Sequence, residues 1–163
     1  MNHLATSKED ILAASRDLIK ENGWAAVSIR AVASRCSVSA GTIYNYYESK
    51  ADLLSDTIES IWHEIFFHPE DEQVFHAVES CISWIYERLE YGNRQFPGFF
   101  SLHSFGFMRD EKTSGKKRMM KTWGHILNGL CEVLGNDPKV RADVFDQEFT
   151  EKKFADILFS LIL

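Results

Sequence analysis

The sequence predicts an all-α protein, and three observations carry that prediction. In each apolar-rich segment the apolar residues recur three or four positions apart, the period of a helix with one buried face. Serine or a serine–aspartate pair precedes several of these segments, and glycine or asparagine follows several of them, the residue types that start and stop helices. The 163 residues are 45% hydrophobic and 26% charged, with three prolines and nine glycines, which is the composition of a globular chain of about one domain's length.

The first helix is expected over Lys8 to Asn22, where Ile11, Ala14, Leu18 and Ile19 share a face, Ser7 and Asp10 form an N-terminal capping pair and Gly23 is the stop. After Trp24 to Val27, Ser28 caps a short second helix, Ile29 to Cys36, with Ile29, Val32 and Ala33 turned inward and Arg30 and Arg35 turned elsewhere. The connection Ser37-Val38-Ser39-Ala40-Gly41 is tight, with Val38 as a core plug and Ser39 as the cap of a third helix near Ala40 to Tyr47. Two short helices across such a turn make a helix-turn-helix. Ser49 and Asp52 repeat the capping pattern and open a longer fourth helix reaching about Phe67.

Beyond a break at His68-Pro69, Val74, Val78, Cys81, Ile82, Ile85 and Leu89 mark a fifth helix, ended by Tyr91-Gly92-Asn93. Phe96 to Phe107 is unusually aromatic, and the polar stretch Arg109 to Lys117 reads as a loop. Met119, Met120, Trp123, Ile126, Leu127, Leu130 and Leu134 define the next helix, closed by Gly135 and Asn136 before Pro138. Phe149, Phe154, Ile157, Leu158 and Leu161 belong to the last element, so residues after the fourth helix build an α bundle. The chain stops at Leu163 inside an apolar run, and an uncovered stripe of Phe154, Ile157, Leu158 and Leu161 is expected to pair with a further helix beyond a truncation.

The run Ser28-Ile-Arg-Ala-Val-Ala, followed by Val38-Ser-Ala-Gly-Thr-Ile-Tyr-Asn-Tyr-Tyr-Glu-Ser-Lys-Ala-Asp-Leu-Leu54, resembles the N-terminal signature of TetR-family transcriptional regulators. The resemblance covers roughly residues 8–55 and implies a homodimer that lays its third helix in the major groove of a palindromic double-stranded DNA operator. It implies a DNA-binding domain over residues 1–50 and a helical effector-binding and dimerisation domain over residues 51–163. Carried over position by position, it makes Thr42, Tyr46 and Lys50 phosphate contacts and Arg30, Ala40, Tyr44 and Asn45 base readers, with Gly41 allowing close backbone approach. Ser28 and Ser39 complete the candidate DNA-binding set.

The residue types agree with that assignment independently. Thr42, Tyr44, Asn45 and Tyr46 carry hydroxyl or amide groups on the expected outer face of the third helix, while Ile43 and Tyr47 hold it to the core. Hydroxyls suit phosphate oxygens, and an amide such as Asn45 matches an adenine edge. Lys50 opposes the dipole at the start of the fourth helix, a position that an external anion explains better than local stability does.

Charge divides the chain in two. Residues 1–55 hold six basic side chains (Lys8, Arg16, Lys20, Arg30, Arg35, Lys50) and six acidic ones (Glu9, Asp10, Asp17, Glu21, Glu48, Asp52), so the net charge of −6 lies entirely in residues 56–163. A neutral unit binds phosphates only where its cations face one way and its acids another, which predicts specific, salt-sensitive binding with little nonspecific affinity. All 12 phenylalanines lie between Phe66 and Phe159. From these aromatics, Trp84, Phe99, Phe100, Phe105, Met119 and Trp123 are the candidate lining of a pocket for a small apolar or aromatic effector. Phe75, Glu79, Ile82 and Tyr86 share a second stripe, on which Glu79 is either the partner of a cationic ligand or simply solvated.

Other classes are disfavoured. No apolar stretch approaches the roughly 20 residues of a membrane span, and the polar start does not read as a secretory signal, so a cytoplasmic location is expected. Cys36, Cys81 and Cys131 are odd in number and far apart, which suits reduced thiols. The histidines show no HxxxH or HExxH spacing and the cysteines no CxxC, so no metal and no cofactor is expected. With no G-x-S-x-G, P-loop or G-x-G-x-x-G, enzyme activity is not expected either. The expected function is therefore that of a sequence-specific DNA-binding transcriptional regulator, a repressor released by a small apolar or aromatic effector; the alternative is a DNA-associated interaction protein whose output is a protein partner.

Overall fold

The computed structural model describes residues 6–67, 76–100, 114–141 and 143–162, with the backbone alone for 114–122 and 162. Among these residues there are seven α-helices and no strand. They are α1 (Lys8–Asn22), α2 (Ile29–Arg35), α3 (Ala40–Tyr44), α4 (Lys50–Phe66), α5 (Val78–Gln95), α6 (Ser114–Asn136) and α7 (Glu151–Ile162), with one 3-10 turn at Trp24–Ala26.

The first four helices start on serine caps. Asp10 N donates to Ser7 Oγ at 3.1 Å while Ser7 N donates to the Asp10 carboxylate at 2.8 Å, closing a full capping box. Ser28 Oγ accepts from Ala31 N at 3.1 Å, Ser39 Oγ from Thr42 N at 3.1 Å and Ser49 Oγ from Asp52 N at 3.2 Å. Gly23 ends α1 at φ 76°, a conformation open to glycine. Between α2 and α3, Ser37 takes the left-handed conformation (φ 56°), and Val38 N donates to Ala33 O at 2.9 Å. That turn sets Val38 against the core and aims α3.

A helix of five residues has no stability of its own, so α3 depends on its anchors. Ile43 is fully buried, and Tyr47 is almost so just past the helix end. The expected third helix is therefore short by three residues: Asn45 caps it and the chain turns tightly through Tyr46 and Tyr47 into α4.

One hydrophobic core runs from Ile11 and Val32 through Ile43, Leu53, Ile61 and Ile65 to Phe96 and Phe99, so the helix-turn-helix unit and the start of the bundle share an interior. A second core joins α5, α6 and α7 through Cys81, Ile85, Leu130, Val133, Leu134 and Ala155. On α7, Phe154, Ala155, Leu158 and Phe159 turn toward the bundle, whereas Ile157 and Leu161 are exposed, so the expected single stripe is split between two faces.

Two boundaries in the bundle also differ from the sequence expectation. Helix α5 does not stop at Tyr91-Gly92-Asn93 but continues to Gln95. Gly92 is buried against α4, and a Cβ there would lie 2.6 Å from Ile65 Cδ1 and 3.0 Å from Phe100 Cζ; the glycine permits close helix contact rather than ending the helix. Likewise, α6 already begins at Ser114, inside the stretch expected to be a loop, because its Ser-Gly-Lys-Lys start continues the helical register of the apolar residues that follow. The expected break at His68-Pro69 and the residues Val74, Phe75, Phe105 and Phe107 lie outside the described residues. The three cysteines are free thiols, and burial raises each above its ordinary pKa.

Candidate nucleic-acid interface

Of the residues expected to face DNA, Arg30, Ser39, Gly41, Tyr44, Asn45 and Lys50 are exposed. Ser28, Ala40, Thr42 and Tyr46 are half-buried. Tyr44 is 55% exposed, a large aromatic ring held in solvent at the end of α3. Thr42 and Ser39 share a hydrogen bond of 3.0 Å between their hydroxyls. At Gly41 an added Cβ would meet only Ser39 Oγ, at an ordinary 3.5 Å, so packing within the chain does not require glycine there.

Tyr46 departs from the expected exposed position. Its ring packs against the core, and its hydroxyl donates to Thr6 O at 2.7 Å, fastening the chain before α1 to the turn after α3. The hydroxyl oxygen still has lone pairs for a further donor.

Ion pairing sorts the basic residues of this unit. Lys8 pairs with Asp56 at 2.6 Å, Arg16 with Glu9 at 2.9 Å and with Glu64 at 3.1 Å, and Lys20 with Glu64 at 2.6 Å. Arg35 forks onto Glu21, with one bond of 2.6 Å, which lowers the pKa of Glu21, and it also approaches Asp17 at 3.8 Å. Among the described residues Arg30 and Lys50 have no such partner, and both are exposed. The neutral unit thus neutralises four cations internally and leaves two, both at positions expected to meet DNA. Glu48, close to Lys50 in sequence, is an exposed carboxylate.

Helix α4 connects this surface to the bundle. Its 17 residues span about 25 Å. Lys50 is its first residue, and Trp62 and Phe66 lie in its last two turns. Glu64, on the same helix, receives Arg16 and Lys20 from α1 and the Tyr91 hydroxyl from α5 at 3.3 Å.

The expected effector residues come together only in part. Trp62 is the centre: its ring lies 5.1 Å from Phe99, 5.7 Å from Phe100, 5.7 Å from Trp123 and 5.6 Å from Phe66, which meets Trp84 at 6.0 Å. Trp123 continues to Phe159 at 5.4 Å. Four of the six candidates, Trp84, Phe99, Phe100 and Trp123, therefore share one cluster, packed ring on ring. Phe105 and the Met119 side chain lie outside the described residues. Sequence reading missed Trp62, Phe66 and Phe159, although Ile58, Ile61, Trp62, Ile65 and Phe66 form a helical stripe that could have marked the first two. An open groove of about 860 Å³ lies elsewhere, between α1 and α4, walled by Lys8, Arg16, Asp56 and His63 among others. On the second stripe, Ile82 is half-buried and Tyr86 exposed. Glu79 lies in solvent, paired with Lys139 at 3.0 Å.

Comparison with known proteins agrees with this geometry. Residues 11–57 match the family model described as bacterial regulatory proteins, tetR family. The HTH-type transcriptional repressor KstR of Rhodococcus jostii is 45% identical over 47 residues, 29% of this chain and 22% of the repressor. The stretch matched in curated relatives amounts to 24% or less of their own length. The fold extends further. A TetR transcription regulator from Haloarcula marismortui superposes with a TM-score of 0.69 at 19% identity, over 95% of this chain and 81% of that one. The regulator FadR from Bacillus subtilis, solved in complex with stearoyl-CoA, gives a TM-score of 0.61 at 20% identity, over 96% and 83%. The sequence match to the tetR family model thus lies in the capped helix-turn-helix, residues 11–57, and the described residues share the all-helical fold of solved TetR regulators.

Proposed function

We propose that the protein is a sequence-specific DNA-binding transcriptional regulator, a repressor that acts as a homodimer on a palindromic operator and is released by a small apolar or aromatic effector. The observation that carries this reading is the sorting of charge: four of the six cations in the helix-turn-helix unit are tied to carboxylates, and Arg30 and Lys50 remain for phosphate or base edges. Tyr44 and Asn45, which lie between Arg30 and Lys50 in sequence and are exposed, supply hydrogen-bonding groups for base contact. The role as a repressor is supported by the similarity to KstR. The effector class is supported by the aromatic cluster around Trp62 and by the stearoyl-CoA bound to the structurally similar FadR.

The mechanism is geometric. Two recognition helices of a dimer meet half-sites one DNA turn apart, about 34–36 Å, and fit only at that spacing. Helix α4 has Lys50 at one end and Trp62 at the other, so a ligand that shifts the cluster tilts the element leading from α3. Such a ligand weakens DNA binding by favouring the mismatched spacing.

Selection from a random duplex library at physiological salt tests the reading. A motif with two half-sites is expected, and the Tyr44→Ala and Lys50→Ala proteins should fold normally yet lose affinity for it, Lys50→Ala with a salt slope smaller by about one. No enrichment by a folded, dimeric protein would overturn the reading in favour of the interaction protein.

A further inference from the structure

The helix-turn-helix unit touches the bundle at a second place besides α4. Helix α5 ends at Gln95, and Phe96-Pro97-Gly98-Phe99 closes a tight turn in which Phe99 N donates to Phe96 O at 3.0 Å. Proline stands second, and glycine third with φ 78°, the pattern of a type II turn. Both flanking rings are buried: Phe96 is fully enclosed and Phe99 nearly so. On one side they meet the helix-turn-helix unit. Trp24 stacks on Phe99 at 5.7 Å with 13° between planes, and the Lys20 ammonium lies 4.9 Å from the centre of the Phe96 ring. On the other side Phe99 meets Trp62 at 5.1 Å and Phe100 at 5.2 Å, inside the aromatic cluster.

We propose that the Phe96–Phe99 turn is a positioning device that transmits changes in the aromatic cluster directly to α1 and the Trp24 turn, in parallel with α4. The physical reason is stiffness. Proline fixes one backbone angle of the turn, and the Phe99 ring is gripped on both sides, so displacement on the cluster side is passed to Trp24 rather than absorbed. Lys20 reinforces the transfer by spanning Glu64 on α4 and Phe96 beside the turn. The proposal rests on the reading of the chain as a DNA-binding regulator, but its test does not depend on DNA.

The test is a double-mutant cycle on the full chain, read by amide hydrogen exchange at Ala26 and Val27, whose N–H groups donate to Gly23 O at 3.1 Å and Trp24 O at 3.3 Å. Phe100→Leu perturbs the cluster. It should speed exchange at those two amides by about fivefold in the parent and by less than about twofold when Trp24 is replaced by leucine. If Trp24→Leu does not fold, Gly98→Ala takes its place, since alanine is strained at a φ of 78° and the turn is disturbed with every ring retained. Equal effects of Phe100→Leu in both backgrounds, or a response confined to α4 amides, would overturn the proposal. Where library selection yields an operator, its Kd should show the same non-additivity. Where it yields none, the regulator reading fails while the exchange cycle still decides whether the turn couples the two regions.

Discussion

The four helices of the N-terminal unit each begin on a serine that lies next to them in sequence, whereas α5 begins on Ala77, which provides no side-chain cap. Its first amide, Val78 N, instead donates at 2.8 Å to Asp137, a residue 59 positions later that also accepts from Lys139 N at 2.9 Å. One region is specified locally, turn by turn, and the other by groups that meet only after the chain has folded. The same contrast runs through the glycines: Gly23 stops a helix where its sequence neighbours say it should, and Gly92 lies inside a helix because Ile65 packs against it.

Gly92→Val inserts carbon into a space already closed by Ile65 and Phe100, and should lower stability by about 1–3 kcal/mol in urea unfolding. Stability equal to the parent's would mean that α4 and α5 do not pack this closely in solution.

A second contrast lies within the helix-turn-helix unit. Arg30→Ala should weaken operator binding by about 1–3 kcal/mol, measured as Kd at fixed salt, while Arg35→Ala, whose guanidinium is already held by Glu21, should change it little. Equal losses would show that ion pairing does not sort the cations.

Capping separates the two regions more finely. Ser7→Ala should cost about 1 kcal/mol of stability, with faster exchange confined to the first turn of α1. Replacing Asp137 should instead loosen the start of α5 and the end of α6 together, since the carboxylate joins them. Backbone N–H groups from Val78 and Lys139 hold the Asp137 carboxyl below the usual carboxylate range. A carboxylate whose pKa is lower in the folded state adds stability that is complete above its unfolded value, about 4, and is lost as pH falls through the folded value. The Tm difference between the parent and Asp137→Asn should therefore be largest near pH 6 and shrink below about pH 4. A difference constant down to pH 2 would reject that role.

The smallest effect concerns Glu48, the exposed acid beside Lys50. Glu48→Gln removes a negative charge from the surface proposed to face phosphates and should tighten binding to nonspecific duplex by about threefold at low salt. Unchanged affinity would place Glu48 away from the backbone of DNA.

Sequence alone determined the helices whose signals are local. The Ser7–Asp10 box, the Ser28, Ser39 and Ser49 caps, Gly23 and the inward stripe Ile29, Val32 and Ala33 could all be read because capping and amphipathicity depend on residues within four positions of each other. The exposure of Tyr44 and Asn45 was legible because a short helix with two core anchors leaves few outward positions, and that of Arg30 because it lies off the inward stripe of α2. Tertiary structure decided the rest. It decided that Arg35 is tied down and Arg30 is not, that Tyr46 ties back to Thr6, that Trp62 is the centre of the aromatic cluster and that Phe99 stacks on Trp24. Each of these depends on residues that are distant in sequence and adjacent in space, and no local pattern records which distant residue will arrive.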